Sequence, residues 1–172
     1  MATLPTITAG TYDSANSTFT GIVGTEPVLQ AIASAVDTRY AHDNGNNSNA
    51  EDGHFFSAAY PTDLSTVTTL SVQIRYWRDA NNALKTWDSV RVQIFQSDLT
   101  TPLTDQMTLA TNITTTSPTN SSVVAFTGVN TSATKATWDA SSIQIQFFRT
   151  KSKGGNSDDF RVSALSLTGT YA

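Results

Sequence analysis

The 172-residue chain contains no cysteine. That removes a disulfide framework and thiol catalysis, and it leaves the redox compartment open. Charge is scarce as well: Asp, Glu, Lys and Arg make up 14% of residues, and the formal balance is −4. Neither end holds a basic run, so direct nucleic-acid binding is not expected. A membrane surface is disfavoured on the same ground, and no apolar run nears the ~20 residues of a membrane span. Histidine is limited to His42 and His54, too few for a zinc site unless carboxylates complete it. Neither a Gly-x-Ser-x-Gly nucleophile elbow nor a Gly-rich phosphate loop occurs. The carboxylates available for acid/base work are Glu51-Asp52, Asp158-Asp159 and Asp139, all in predicted turns where burial would not tune them. The expectation is a protein without enzymatic activity.

Thr and Ser fill the space that charge leaves, with 29 and 19 copies. Thr is β-branched and suits a pleated surface. A chain solubilised by Thr, Ser and Asn reads as all-β, with uncharged strand faces suited to lying against another surface. Its length fits one domain that buries roughly 70% of the unfolded surface.

Period-two alternation supplies the strands. Over 67–77, Leu70, Val72, Ile74 and Tyr76 take one side, and Ser71, Gln73, Arg75 and Trp77 the other. Over 87–96, Val90, Val92 and Ile94 oppose Arg91, Gln93 and Phe95. Ile143-Gln144-Ile145-Gln146-Phe147-Phe148 and Phe160-Arg161-Val162 form a closing hairpin around a polar turn. A phase slip in the last strand predicts a β-bulge near Ala164–Leu165. Weaker strands fall at 106–113 and 122–129. Trp87 and Trp138 are read as opening strands. Residues 55–60 make a strand before Pro61, after a polar loop over 42–54. Thr25, Pro27, Leu29, Ile32, Ala33 and Val36 predict one short helix near 26–36. The sum is an antiparallel β-sandwich of about eight strands, jelly-roll-like. Residues 1–24 read as an N-terminal arm or edge strand, and 25–172 as a single sandwich domain.

Two groups of residues are candidates for binding. Asp43, Asn47, Asn49, Glu51 and Asp52 offer hard oxygen ligands of the kind calcium takes, although their register is not that of an EF-hand loop. Asn and Gly are also ordinary residues of solvated turns, so a plain loop is the expectation, with no cofactor. Trp77, Phe95 and Phe148 stand opposite the main apolar stripes. Aromatics there serve burial against a second sheet, a subunit contact or sugar stacking. Arg75, Arg91, Arg149 and Arg161 beside them suit surface pairing.

Three blocks carry a resemblance: Leu29 and Ile32 with Val36-Asp37-Thr38-Arg39-Tyr40, then Leu70-Ser71-Val72-Gln73-Ile74-Arg75-Tyr76, then the ending from Trp138 through Phe160-Arg161-Val162-Ser163 to Leu167 and Tyr171. Together they resemble β-sandwich structural proteins of tailed-bacteriophage virions, namely capsid decoration (cement) or head-fibre proteins and related minor tail proteins. The resemblance implies a homotrimer on the particle surface, with the major capsid protein or other virion subunits as partner. It would stabilise the shell across coat-protein joints, and it brings no catalytic residues. On that expectation Thr3, Leu4 and Ile7 of the arm contact the shell, and Trp77, Phe95 and Phe148 contact subunits. The first residues, Met1-Ala2-Thr3-Leu4-Pro5, lack the basic and apolar regions of a secretory signal, so synthesis in the host cytoplasm without a signal peptide is expected. The alternative is a carbohydrate- or receptor-binding module, tail-tip or lectin-like.

Overall fold

The computed structural model describes residues 1–15, 17, 21–23, 29, 32–35, 37–42, 50–57, 59–78, 87–148 and 160–172. It is an antiparallel, jelly-roll-like β-sandwich. In chain order its strands are β1 (Ala2–Thr3), β2 (Ile7–Tyr12), β3 (Gly21–Val23), β4 (Tyr40–His42), β5 (Ala50–Ser57), β6 (Val67–Arg78) and β7 (Trp87–Phe95). They continue with β8 (Met107–Ile113), β9 (Thr119–Asn120), β10 (Val124–Ala125), β11 (Ser142–Phe148) and β12 (Phe160–Tyr171). One layer is built on the β6–β12 pair, with β10 and β9 on β6, β1 and β4 on β12, and β3 on β4. The other runs β5-β11-β7-β8. β2 belongs to both: Ile7 and Thr8 pair with β12, while Ala9 and Tyr12 pair with β5.

Alternation decides which side of each strand is dry. Val72 and Ile74 of β6, Val90, Val92 and Ile94 of β7, and Ile143, Ile145 and Phe147 of β11 are fully buried. The two layers meet through rings: Phe147 lies 3.7 Å, centroid to centroid, from Phe160 of β12, which stacks in turn on Tyr76 at 5.6 Å. Two close-packed layers of this kind satisfy strand hydrogen bonds and hide apolar area together.

The β-bulge lies between Val162 and Ala164, two residues before the expected place. Ser163, left without a partner on β6, donates to Asp37 Oδ1 at 3.1 Å. Asp37 also receives a two-pronged contact from Arg75, Nε to Oδ1 at 2.7 Å and Nη2 to Oδ2 at 2.9 Å. That guanidinium holds the Asp37 carboxyl below its ordinary pKa. The contact ties the segment before β4 to the outer side of β6. Near the end of β12 only glycine fits, since a Cβ at Gly169 would stand 2.0 Å from the Thr69 carbonyl oxygen on β6.

Several expectations need correction. The only helical residues described near 26–36 are the 3₁₀ turn Ile32–Ser34, and most of that stretch lies outside the described residues. An unpredicted helix, α1 (Lys135–Asp139), is capped by Thr134, whose side chain accepts from the Thr137 N–H. Trp138 sits in it, fully buried, and does not open a strand. β5 starts at Ala50, inside the supposed polar loop. Of the strand expected over 122–129, only Val124–Ala125 forms. Leu4 and Ile7, assigned to shell contact, are core residues at 3% exposure each, because β1 and β2 pair with the chain's own β12; Thr3 is exposed.

Candidate functional site

Strand pairing brings the chemistry together on the outer face of the β5-β11-β7 layer. β11 is central there, and since Ile143, Ile145 and Phe147 point inward, Ser142, Gln144, Gln146 and Phe148 point outward. Register then sets each row across the strands: Phe56–Ser142–Phe95, His54–Gln144–Gln93, Asp52–Gln146–Arg91 and Ala50–Phe148–Ser89. Rows lie about 6.6 Å apart along a strand, and neighbours within a row about 4.8 Å.

The first row is apolar. Phe56 is 44% exposed, and it flanks with Phe95 a Ser142 that is fully buried. Phe95 ends β7 at a tight turn in which Leu99 takes φ 58°, a left-handed conformation costly for leucine. Asp98 holds that turn, accepting from the N–H groups of Thr100 and Thr101 at 2.9 and 2.8 Å. The Thr101 hydroxyl, which also donates to it, together with those two N–H groups pulls its carboxyl pKa down to about 2.

The middle rows are amides and charges. Gln93 donates to the Thr104 carbonyl at 3.0 Å, which fixes its orientation. Gln106 reaches Gln146 at 3.5 Å. Arg91 donates to Ser89 Oγ at 3.2 Å, and its guanidinium lies 4.6 Å from the Phe148 ring centre. Asp52 and Arg91 stand in one row on either side of Gln146. His54 is 6% exposed; its main-chain N–H donates to Ser17 Oγ at 2.9 Å and its carbonyl accepts from the Asp13 N–H at 2.9 Å.

Burial depresses the His54 pKa, with the charges of Asp52 and Asp13 opposing in part. The unfolded value is about 6.5. A depressed folded pKa means that the stabilising contribution is complete above about pH 6.5 and is lost as pH falls through the folded value. Thermal unfolding followed by circular dichroism should therefore show a lower midpoint at pH 5 than at pH 7. In His54→Gln that part of the drop should vanish.

The remaining candidates fall elsewhere. Trp77 is 5% exposed, because Tyr40 of β4 closes on it edge-to-face at 5.4 Å, so it presents no surface for a subunit contact. Phe95 and Phe148 are half-buried and face outward, as expected. Asp43, Asn47 and Asn49 lie outside the described residues, and so do Asp158 and Asp159. Glu51 and Asp52 are strand residues of β5, opposite Phe147 and Gln146 of β11. Among the described residues no group of three His, Asp or Glu is placed to hold a metal ion. His42 and His54 belong to different layers. Lys135 pairs with Asp139 within α1. No helix among the described residues is long and apolar enough to cross a membrane.

Sequence reasoning passed over Phe56, although two adjacent phenylalanines in a strand must face opposite ways, and Phe55 is buried. The glutamines were legible as outward, but their neighbours across the strands were not.

No family model matches this chain, and no curated protein does. Solved structures do. An arabinose-bound α-L-arabinofuranosidase, MgGH51, superposes with a TM-score of 0.52 at 13% identity, over 92% of this chain and 23% of that one. The CBM22-1–GH10 modules of a Clostridium thermocellum xylanase, complexed with xylohexaose, give 0.47 at 12% identity over 95% and 28%. CsCBM6-3 of Clostridium stercorarium, complexed with cellobiose, gives 0.38 at 11% over 92% and 91%. This chain spans less than a third of the first two. At these identities the first similarity speaks for a shared β-sandwich, and the weaker two carry no argument.

Proposed function

We propose that the chain is a carbohydrate-binding module and that the outer face of β5, β11 and β7 is its binding surface. The arrangement of rows supports this reading: aromatic rings at both ends and side-chain amides between. Amides donate and accept at once, which suits neighbouring hydroxyl groups, and an exposed phenyl ring covers the apolar side of a sugar. A glycan array that includes arabino-, xylo- and cello-oligosaccharides tests the reading. The wild type should bind a restricted set of glycans, and Gln144→Ala/Gln146→Ala should bind the same set markedly more weakly. A wild type that ignores every glycan removes the proposal.

The Thr-rich, weakly charged surface also favours a second proposal, a trimeric decoration protein of a phage virion bound to the major capsid protein. With Leu4 and Ile7 in the core, that role would use other surfaces. The two proposals are compatible, since a particle can display a sugar-binding face. Mass spectrometry of purified virions should find the chain in many copies per particle, and its absence would remove the second proposal.

A further inference from the structure

Resting on the carbohydrate reading, we infer that Gln93 is a specificity-determining residue of the surface: its Oε1 accepts a hydrogen bond, and the glycan must present a free hydroxyl to it over β7. The sense of an amide is ordinarily open, because rotation about its last bond exchanges the donor end for the acceptor end. At Gln93 that exchange is blocked. Its amide meets the Thr104 carbonyl oxygen at 3.0 Å, and a carbonyl only accepts, so the atom facing it is Nε2. Thr104 is itself clamped. It is 4% exposed, its N–H and that of Leu103 donate to the Ile94 carbonyl, and its Oγ1 accepts from the Ile94 N–H at 3.0 Å. Turning the amide over would set two acceptor oxygens against each other. Oε1 therefore stays turned away from Thr104, and among the described residues nothing donates to it.

The other outward positions of β7 cannot take over this task. Ser89 is 5% exposed, and its Oγ accepts from Arg91 Nε at 3.2 Å. Arg91 carries donors only, and Phe95 has no polar side-chain atom. On β11, Gln144 has no side-chain partner among the described residues, and Gln146 is met by Gln106 at 3.5 Å, a long contact at the exposed surface. Those two amides can present either end, so they adapt to a hydroxyl, an ether or a ring oxygen alike. Gln93 does not adapt. An ether, an ester or a ring oxygen placed against Oε1 sets an acceptor against an acceptor. The surface should thus distinguish a free hydroxyl from the same position deoxygenated, alkylated or acylated, at one place on the sugar.

Isothermal titration calorimetry tests the inference with oligosaccharides of arabinose, xylose and glucose, each beside derivatives in which a single hydroxyl is replaced by hydrogen or by methoxyl. The wild type should bind one such derivative of its preferred oligosaccharide about fivefold or more weaker than the parent, as expected when one net hydrogen bond is lost. Gln93→Met keeps the length of the side chain without its amide, and Gln93→Lys keeps a donor for the Thr104 carbonyl without an acceptor. In both, parent and derivative should bind alike, while preferences at other positions of the sugar persist. Circular dichroism melts confirm that the variants fold, and the wild-type series stands without them. A wild type that binds every derivative as tightly as its parent, or variants that keep the wild-type preference at every position, overturn the inference and leave the carbohydrate reading standing. Absence of binding to every parent oligosaccharide overturns both.

Discussion

Replacing Phe160 by alanine is expected to cost about 3–5 kcal/mol of folding stability. Its ring is fully buried and joins the layers, lying against Phe147 of one and stacked on Tyr76 of the other. A truncated side chain leaves a void between two sheets whose strands are fixed by hydrogen bonds, so the walls cannot collapse to fill it. Domains have only about 5–15 kcal/mol in total, so about a fifth or more of the stability would go. In a chain of this size the melting temperature should fall by about 6–20 °C. Urea denaturation gives the free energy directly. A loss under about 1 kcal/mol would mean that the two layers do not meet at this ring.

The second large effect is on binding. Gln144→Ala/Gln146→Ala removes the two amides at the centre of the proposed surface. Each amide can hydrogen-bond a hydroxyl, and each net hydrogen bond is worth about 1 kcal/mol, so the loss of the pair should weaken glycan binding about thirtyfold. Stability should change little, by about 0.5 kcal/mol, since both side chains face outward from a backbone already paired on both sides. Calorimetry on the best glycan from the array, beside a melt of the same variant, separates the two outcomes. Undiminished binding would move the site away from this face.

The strands that the sequence announces are those whose inward positions are all large and apolar. β6, β7 and β11 alternate cleanly, and each appears where the pattern puts it. β5 was missed over its first half for a local reason. Its inward position there is Gly53, which has no side chain, and the residues around it are polar, so no alternation shows before Phe55. α1 was missed because five residues with one buried tryptophan hold too little periodicity to betray a helix. The burial of Trp77 depends on Tyr40, which lies far away in sequence, and a local pattern cannot report such a contact. The candidate surface divides the same way. That Gln93, Gln144, Gln146 and Phe95 face outward follows from alternation, but that Phe56, Ser142 and Phe95 share a row follows only from the pairing of strands far apart in the chain.

The double allegiance of β2 gives the opening segment a role beyond that of an arm. One short strand is stitched to β12 on one side and β5 on the other, so it acts as the spine along which the two covers of the sandwich are bound. Clipping the first dozen residues would leave raw backbone edges on both layers at the same seam, and would remove Leu4 and Ile7 from the interior in the same cut.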